Sequence, residues 1–308
     1  PVLAHICVYY AAVNINKYLY IYMIPSTARL LSQLRALADP VRIRLVALCG
    51  VAECSVSELT QVTGLSQPRV SQHLKHLIAE DLLERFRDGH FVFYRVPSNG
   101  EHAVARRRLL ALLPGDEPEF SRDVEKLRTL RAEDEPAPLA ESGDERMLHK
   151  ALVELTVAAP LGDLLDVGCG QGRILKLLAS RAQRAVGVDI DSDARRLARA
   201  ELLLAGSPNC SLRHGNMYAL PFDNREFDTI ILDGVLNEAE RPTDVITETL
   251  RLLKAGGRVL LLSATGERSA AQIQSDFANW AAQTGLRLAQ PKSIPDKNPG
   301  WLLGVATP

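Results

Sequence analysis

The middle of the chain reads Leu164-Leu165-Asp166-Val167-Gly168-Cys169-Gly170-Gln171-Gly172, and this stretch decides the fold. An apolar run ends in an acid and three alternating glycines, and the amphipathic segment Ile174 to Leu178 follows at once. That order predicts a strand, a tight loop and a helix. Glycine admits positive φ and lets a ligand approach the backbone, and the first turn of a helix offers unpaired N–H groups. We therefore expect a cofactor to lie across this turn.

The spacing of the glycines separates two classes of cofactor. A dinucleotide-binding loop has the pattern G-x-G-x-x-G, with an acid about 20 residues further on. Here the pattern is G-x-G-x-G, and Arg173 stands at the third-glycine position. With Asp166 leading the glycines, the stretch resembles the first motif of class I S-adenosylmethionine (SAM) methyltransferases. The resemblance implies that SAM is the cofactor.

Further motifs of the same family follow in order. Asp189 ends Val186-Gly187-Val188, where a carboxylate can accept hydrogen bonds from both ribose hydroxyls. Gly215-Asn216-Met217 resembles the third-strand tip that holds the adenine. The approach to the fourth strand resembles Leu220-Pro221-Phe222. The fourth strand itself resembles 227–233, and the turn into the fifth strand resembles 253–259. The cofactor-binding residues that the resemblance implies are Asp166, Gly168, Gly170, Gly172, Asp189, Ile190, Asn216, Met217 and Asp233.

Strand and helix patterns alternate after Pro160. Strands are predicted at 185–189, 212–214, 227–233 and 258–263, and helices at 194–204, 244–253 and 270–284. Such alternation predicts a parallel sheet with helices on both faces. The last two apolar pieces, 286–290 and 301–307, have no helix between them and should form an antiparallel edge hairpin. The fold class is α/β, with the seven-stranded, Rossmann-like sheet of class I methyltransferases.

Catalytic residues are harder to predict from the sequence. Methyl transfer is an in-line displacement in which proximity and orientation matter most, and a base is needed only for a protonated nucleophile. Asp233 and Glu238 follow the fourth strand and are the candidates, although capping or solvated roles fit them equally well. No Asn/Asp-Pro-Pro-Tyr/Phe signature of base methylation follows that strand. We therefore expect a small-molecule acceptor rather than a DNA base.

The front of the chain has a different pattern, with short helices at 27–38 and 40–49. Ser55-Val56-Ser57-Glu58 is a capping box that starts a helix ending near Gly64. Ser66-Gln67-Pro68 begins a second helix, 69–79, which together with the first predicts a helix-turn-helix. Asp88-Gly89 lies between two apolar strand patterns and predicts a hairpin turn. This hairpin is the wing of a winged helix.

The winged-helix stretch resembles the ArsR family of bacterial repressors. Its opening signature is Leu37-Ala38-Asp39-Pro40-Val41-Arg42-Ile43-Arg44-Leu45, and 66–74 resembles the recognition helix. The resemblance implies binding to a double-stranded DNA operator as a homodimer, with helices near 27–38 and 101–113 pairing between subunits. Arg85, Arg87 and Arg95 place charge along the wing, where it suits phosphates. Together with donors on the early turns of the second helix, this predicts the DNA-binding residues Gln67, Arg69, Ser71, Gln72, Lys75 and Arg87.

Metal sensing of the kind known in this family is not expected. Its sensors carry a Cys-x-Cys pair where this chain has Ser55 and Ser57, and hydroxyls do not replace thiolates for soft metals. Cys49 and Cys54 are interpreted as small buried groups. His73 and His76 could ligate a metal in principle, but contact with DNA or packing in the core is the favoured interpretation. No metal site is predicted.

Composition sets the remaining expectations. The net charge is −1 over 308 residues, yet 25–113 holds 12 basic and 8 acidic residues, whereas 114–146 holds 5 basic and 11 acidic. The scattered cysteines, an odd five in number, indicate a reducing cytoplasm and no disulfide framework. Residues 1–24 differ in composition from the rest, and we interpret them as an extension that is not native, with a functional hydrophobic arm as the alternative.

The domain organisation follows from these patterns. We expect a DNA-binding domain at 25–113, an acidic linker with a short helix at 114–146 and a methyltransferase domain at 147–308. The function predicted is a small-molecule SAM-dependent methyltransferase that carries a DNA-binding domain and regulates transcription. The alternative is a regulator that senses SAM or S-adenosylhomocysteine without catalysing. No association with a membrane is expected.

Overall fold

The protein is described by a computed structural model. The described residues are 26–98, 100, 102–115, 117–132, 143–266 and 268–308. The extension predicted at 1–24 and part of the predicted linker lie outside them. The chain divides into two compact units. The first holds residues up to Gly50, Cys54–Phe86 and Phe93–Val124, and the second holds Val51–Glu53, Arg87–Val92 and Glu125–Pro308.

The N-terminal part of the chain forms helices and one small sheet. The helices are α1 (Thr27–Leu37), α2 (Pro40–Val51), α3 (Val56–Thr63), α4 (Gln67–Ala79), α5 (Ala103–Leu110) and α6 (Pro118–Ala132). The strands are β1 (Cys54–Ser55), β2 (Glu84–Asp88) and β3 (Phe91–Arg95), in the order β1-β3-β2. Helices α3 and α4 with this hairpin form the predicted winged helix-turn-helix.

The residues that were predicted to begin and end the helices of the helix-turn-helix can be compared with the structure. The Ser55 hydroxyl accepts from the Glu58 amide and the Glu58 carboxylate accepts from the Ser55 amide, so the capping box at α3 is confirmed. Gly64 ends that helix in the left-handed conformation, with φ +70°. Ser66 precedes α4, but its hydroxyl makes no capping hydrogen bond. The core side of α4 consists of Val70, Leu74 and Leu77, all fully buried.

Three side chains of this part have roles inside the fold. The Arg95 guanidinium, which we expected along the wing for phosphates, pairs with Glu84 and lies over the Phe86 ring. It therefore stabilises the hairpin itself. Cys49 and Cys54 are buried, as the interpretation of both as small apolar groups predicts.

The C-terminal part alternates strands and helices. Its helices are α7 (Gly143–Ala158), α8 (Arg173–Leu178), α9 (Ser192–Leu204), α10 (Val235–Glu238), α11 (Pro242–Leu252) and α12 (Ala270–Thr284). Its strands are β4 (Asp163–Val167), β5 (Arg184–Asp189), β6 (Cys210–His214), β7 (Phe227–Asp233), β8 (Leu253–Ala264), β9 (Arg287–Leu288), β10 (Lys292–Ile294) and β11 (Trp301–Thr307). Helix α10 is short and was not predicted.

These strands form one sheet in the order β10-β11-β8-β7-β4-β5-β6, and β9 also pairs with β11. Strands β4 to β8 are parallel, and β11 runs antiparallel to β8. The predicted α/β class and antiparallel edge are confirmed. The sheet has eight strands instead of seven because the outer partner of β11 is split into β9 and β10.

The strand residues are buried on both faces, as a parallel sheet with helices on each side requires. One cluster of buried apolar side chains includes Leu165, Val186 and Phe277, and a second includes Leu164, Leu175 and Leu212. Successive residues of β4 therefore point into different clusters. The glycine loop that follows β4 leaves the sheet at its centre.

A substitution at Gly187, on β5, tests how tightly the second cluster of apolar side chains packs. A Cβ at this position would lie 2.5 Å from Leu175 Cδ1 and 2.7 Å from Cys169 Sγ. We expect Gly187→Ala to lower the free energy of unfolding by about 1–3 kcal/mol through overpacking. Urea denaturation followed by tryptophan fluorescence reports on the second unit, because Trp280 and Trp301 both lie in it.

The matched control is Gly143→Ala at the first residue of α7, where a Cβ would meet no described atom within 4 Å. It should leave the unfolding midpoint almost unchanged. Equal midpoints for the two variants would contradict this description of the packing.

Candidate functional site

The glycine loop after β4 is held by the backbone of its neighbour β5. The amides of Gly168 and Cys169 both donate to the Val188 carbonyl oxygen, at 2.7 and 3.0 Å. Gly172 has φ +78°, and a Cβ there would lie 3.1 Å from the Ala198 Cβ of α9. Glycine is thus required at this position both by conformation and by space. The loop carries the chain from the sheet edge into α8 along a fixed path.

Asp166 lies at the end of β4, beneath this loop, and only 1% of its surface is exposed. Neither carboxylate oxygen has a hydrogen-bond partner among the described residues. Burial raises the pKa of Asp166 well above its usual value, and the Asp233 and Asp189 carboxylates add to the rise while Arg173 opposes it. A buried carboxyl without a partner costs free energy. A ligand that brings a positive charge to this point would remove that cost.

Asp189 ends the adjacent strand β5 and supports the loop from the side. Its Oδ2 accepts from the Gly170 amide at 2.8 Å, and its Oδ1 accepts from the Asp191 amide at 2.9 Å. Each oxygen keeps a further lone pair for a ligand hydroxyl. The carboxylate is therefore fixed in position before any ligand binds.

The backbone at Asp189 is fixed from below by Arg195 of α9. Nη1 of this buried arginine donates to the Asp189 carbonyl oxygen at 2.9 Å. Its Nε donates to Asp88 Oδ1, also at 2.9 Å, and Asp88 belongs to a short segment of the second unit. Although burial raises the pKa of Asp88, Arg199 and Arg195 hold it below its usual range. This paired carboxylate contrasts with the unpaired Asp166.

Three predicted residues follow β5 and β6 near the surface. Ile190 is 66% exposed. Asn216 is exposed and its Oδ1 accepts from the Tyr218 amide at 3.0 Å, while Met217 is half-buried. This hydrogen bond orients the side-chain amide of Asn216. An apolar side chain, a thioether and an amide are groups suited to the faces and edge of a heterocyclic base.

Asp233 ends β7, on the other side of β4. Its carboxylate accepts from Arg173 Nη2 at 2.7 Å. Burial raises the pKa of Asp233, and the Arg173 guanidinium opposes that rise. Glu238, the second predicted catalytic residue, is exposed at the end of α10. The structure therefore places Asp233 at the same sheet edge as Asp166 and leaves Glu238 on the surface.

The strand order explains which predicted residues meet. Going across the sheet, β6, β5, β4 and β7 are neighbours, and parallel strands end at one edge. Asn216, Asp189, Asp166 and Asp233 therefore follow one another along that edge, where ligands of open α/β sheets bind. Sequence reasoning missed Arg173, which donates to Asp233, and Trp301, whose ring lies against the Arg173 guanidinium. The sequence signal for Arg173 was its position directly after the third glycine.

The candidate DNA-contacting residues lie on the outer face of α4 and on the hairpin. Gln67, Arg69, Gln72, Lys75 and Arg87 are exposed, and Ser71 is half-buried. His73 is half-buried, with Nδ1 3.8 Å from the Asp39 carboxylate. The exposed residues are available to a partner, while their roles stay predictions.

Two family descriptions match the chain. "Methyltransferase domain" matches residues 165–261, and "Bacterial regulatory protein, arsR family" matches residues 39–85. The chain carries both an arsR-family regulatory domain and a methyltransferase domain. Both resemblances noted in the sequence are thus confirmed.

Individual proteins are also similar. "Probable S-adenosylmethionine-dependent methyltransferase" of Mycolicibacterium smegmatis is 30% identical over 99 residues, which cover 32% of this chain and 37% of that protein. "Ubiquinone biosynthesis O-methyltransferase" of Paracidovorax citrulli is 31% identical over 97 residues, covering 31% and 41%. The solved structure of a SAM dependent methyltransferase from Aquifex aeolicus is 17% identical and covers 58% of this chain and 96% of that one, with a TM-score of 0.45.

The chain spans less than half the length of these two curated relatives. Their names therefore describe those proteins only and do not establish the activity of this chain. None of the described helices is long and apolar enough to cross a lipid bilayer.

Proposed function

We propose that the chain is a SAM-dependent methyltransferase of small molecules and, through its arsR-family part, a cytoplasmic DNA-binding regulator of transcription. The observation that carries the methyltransferase half is the Asp166 carboxylate, which is buried, unpaired among the described residues and directly beneath a glycine loop. The methyltransferase part corresponds to 147–308 and the DNA-binding part to 25–113.

The residues at the sheet edge fit SAM in both charge and order. Asp166 suits the cationic end of the methionyl group, because an ammonium supplies the missing partner of a buried carboxylate. Asp189 suits the ribose hydroxyls, and its position is already fixed by the Gly170 amide. Ile190, Met217 and Asn216 suit the adenine. Gly168, Gly170 and Gly172 let the backbone approach the ligand.

SAM supplies an electrophilic methyl group on sulfur, and the residues of the chain provide orientation and proton transfer. Alignment of the acceptor supplies most of the rate enhancement. Asp233 is the favoured candidate base, since burial raises its pKa toward the range in which a base works best. Glu238, exposed on α10, is the second candidate and would act only if an acceptor reached it.

The DNA-binding half rests on α4 and on one face of α1. The N-terminal turns of α4 present Gln67, Arg69 and Gln72 to solvent, which is where recognition helices contact base edges. Helix α1 exposes Leu30 and Leu31, and Leu34 on the same helix is 43% exposed. An apolar face of this kind marks a protein interface. We propose that it pairs in a homodimer, as the ArsR resemblance implies.

Binding of SAM should depend on pH through Asp166. In the free protein the raised pKa of Asp166 keeps this carboxyl protonated at acid pH, whereas an ammonium partner favours the ionised form. Binding then releases a proton, so affinity rises with pH until the pH exceeds the raised pKa. Calorimetric titrations with SAM from pH 5 to about 7.5, below the ordinary pKa of an α-amino group, should show this increase.

Asp166→Asn is the control because the amide has the same shape and does not titrate. It should bind SAM more weakly, by about 1.5–3 kcal/mol for one charge-assisted hydrogen bond, with little change across the same pH range. A wild-type affinity that is flat or falls with rising pH would contradict the role of Asp166.

Operator binding should depend on α4. Arg69→Ala and Gln72→Ala should each weaken specific binding by about 1–3 kcal/mol, because each removes a donor to a base edge or a phosphate. The measurement is footprinting and titration, at fixed salt, on DNA from upstream of the gene. Gln61→Ala, an exposed glutamine on α3, is the control and should leave the footprint unchanged. If both α4 variants keep the wild-type footprint, α4 is not the recognition helix.

Catalysis is tested by methyl transfer. Purified protein with radiolabelled SAM and a cell extract depleted of macromolecules should yield a labelled small molecule, and Asp233→Asn should lower the rate. In a parallel reaction with added DNA, labelling of the DNA in place of a small molecule would contradict the proposed acceptor class. Absence of labelling, together with a change in operator affinity on adding SAM, would instead show the alternative function, a regulator that senses SAM.

A further inference from the structure

Arg173 has a placement that the glycine motif alone does not explain. It is the first residue of α8, and its side chain extends toward the edge where β7 ends. Nη2 donates to Asp233 at 2.7 Å, and the guanidinium carbon lies 4.8 Å from the centre of the Trp301 ring. Trp301 begins β11 and pairs in register with Ala264 of β8. The guanidinium is therefore held from two sides.

One nitrogen of this guanidinium is left without an acceptor. Arg173 Nη1 is buried and forms no hydrogen bond within the part of the chain that the structure describes. Nη1 forms an ion pair with Glu145 Oε1 at 3.9 Å, which is too long for a hydrogen bond. A buried donor without an acceptor costs free energy. A ligand with an anionic oxygen would satisfy it.

The charges around Arg173 define what that ligand must be. Asp166, Asp189 and Asp233 are three carboxylates at one sheet edge, and Arg173 is the cation whose charge acts on Asp166. A ligand with an ammonium and a carboxylate on the same carbon matches this arrangement, because the ammonium suits the aspartates and the carboxylate suits the guanidinium. The methionyl group of SAM is such an α-amino acid.

We propose that Arg173 binds the α-carboxylate of the methionyl group of SAM through Nη1, an inference that rests on the proposed function. Asp189 takes the ribose, so the amino-acid end of the cofactor belongs on the Asp166 side of it, where Asp233 and Arg173 lie. Stacking on Trp301 and the bond to Asp233 fix the guanidinium in advance, so that little side-chain entropy is lost on binding. Arg173 is thus a specificity residue for the intact amino acid.

The test compares SAM with decarboxylated SAM, which keeps the sulfonium and the amine but lacks the carboxylate. Calorimetry on the full chain gives the two dissociation constants, and their ratio isolates the carboxylate. Removing Arg173 also changes the field at Asp166 and Asp233, but that change acts on both ligands and cancels in the ratio. One charge-assisted hydrogen bond corresponds to about a 10- to 100-fold ratio.

We expect the wild type to prefer SAM by about 10-fold or more, and Arg173→Met to bind both ligands about equally. Arg173→Lys keeps the charge without the planar fork, so its preference should be intermediate. Lys176→Met is the matched control on the same helix, since Lys176 is half exposed and pairs with Glu201. It should keep the wild-type preference.

Three results would overturn the proposal. They are a wild type that shows no preference for SAM, an Arg173→Met variant that keeps the full preference, and a Lys176→Met variant that loses it as well. The first needs no variant, so the test stands even if Arg173→Met fails to fold. A wild type that binds neither ligand would instead refute the proposed function. The two failures are therefore distinguishable.

Discussion

The Asp166 carboxylate is the constraint on which the rest of the methyltransferase part depends. It is buried at the centre of a parallel sheet and has no hydrogen-bond partner among the described residues. The neighbouring Asp189, by contrast, accepts a hydrogen bond from the Gly170 amide. A fold that keeps a carboxyl in this state bears a cost in stability. In the proposed function that cost is recovered when the ammonium of SAM binds Asp166.

The rest of the site is fixed in position. Hydrogen bonds from two loop amides to the Val188 oxygen hold the glycine loop, Arg195 holds the backbone at Asp189, and Asp233 with Trp301 holds Arg173. Affinity is greatest when polar groups do not have to reorganise on binding. Most of the site is thus held in position by hydrogen bonds, while the Asp166 carboxylate and Arg173 Nη1 have no hydrogen-bond partner among the described residues. In the proposed function SAM supplies a charge of opposite sign to each.

Much of this could be predicted from the sequence because the deciding signals are local. Glycine spacing, strand and helix periodicity and the Ser55–Glu58 capping box predicted the sheet, the loop and the helix-turn-helix. The split of the edge strand into β9 and β10 was not predictable, because it depends on pairing with β11, which comes later in the chain. The roles of Arg95 and Arg173 were missed for the same reason, since their partners are set by tertiary packing.

SAM is proposed to bind across the glycine loop of this chain. Hydrogen–deuterium exchange of the full chain, with and without saturating SAM, tests it directly and needs no variant. We predict slower exchange in the segments 166–173 and 189–191, because their amides lie in the loops that would close around the ligand. Exchange in α4, which belongs to the first unit, serves as an internal reference. Unchanged exchange in both segments at saturating SAM would contradict the claim.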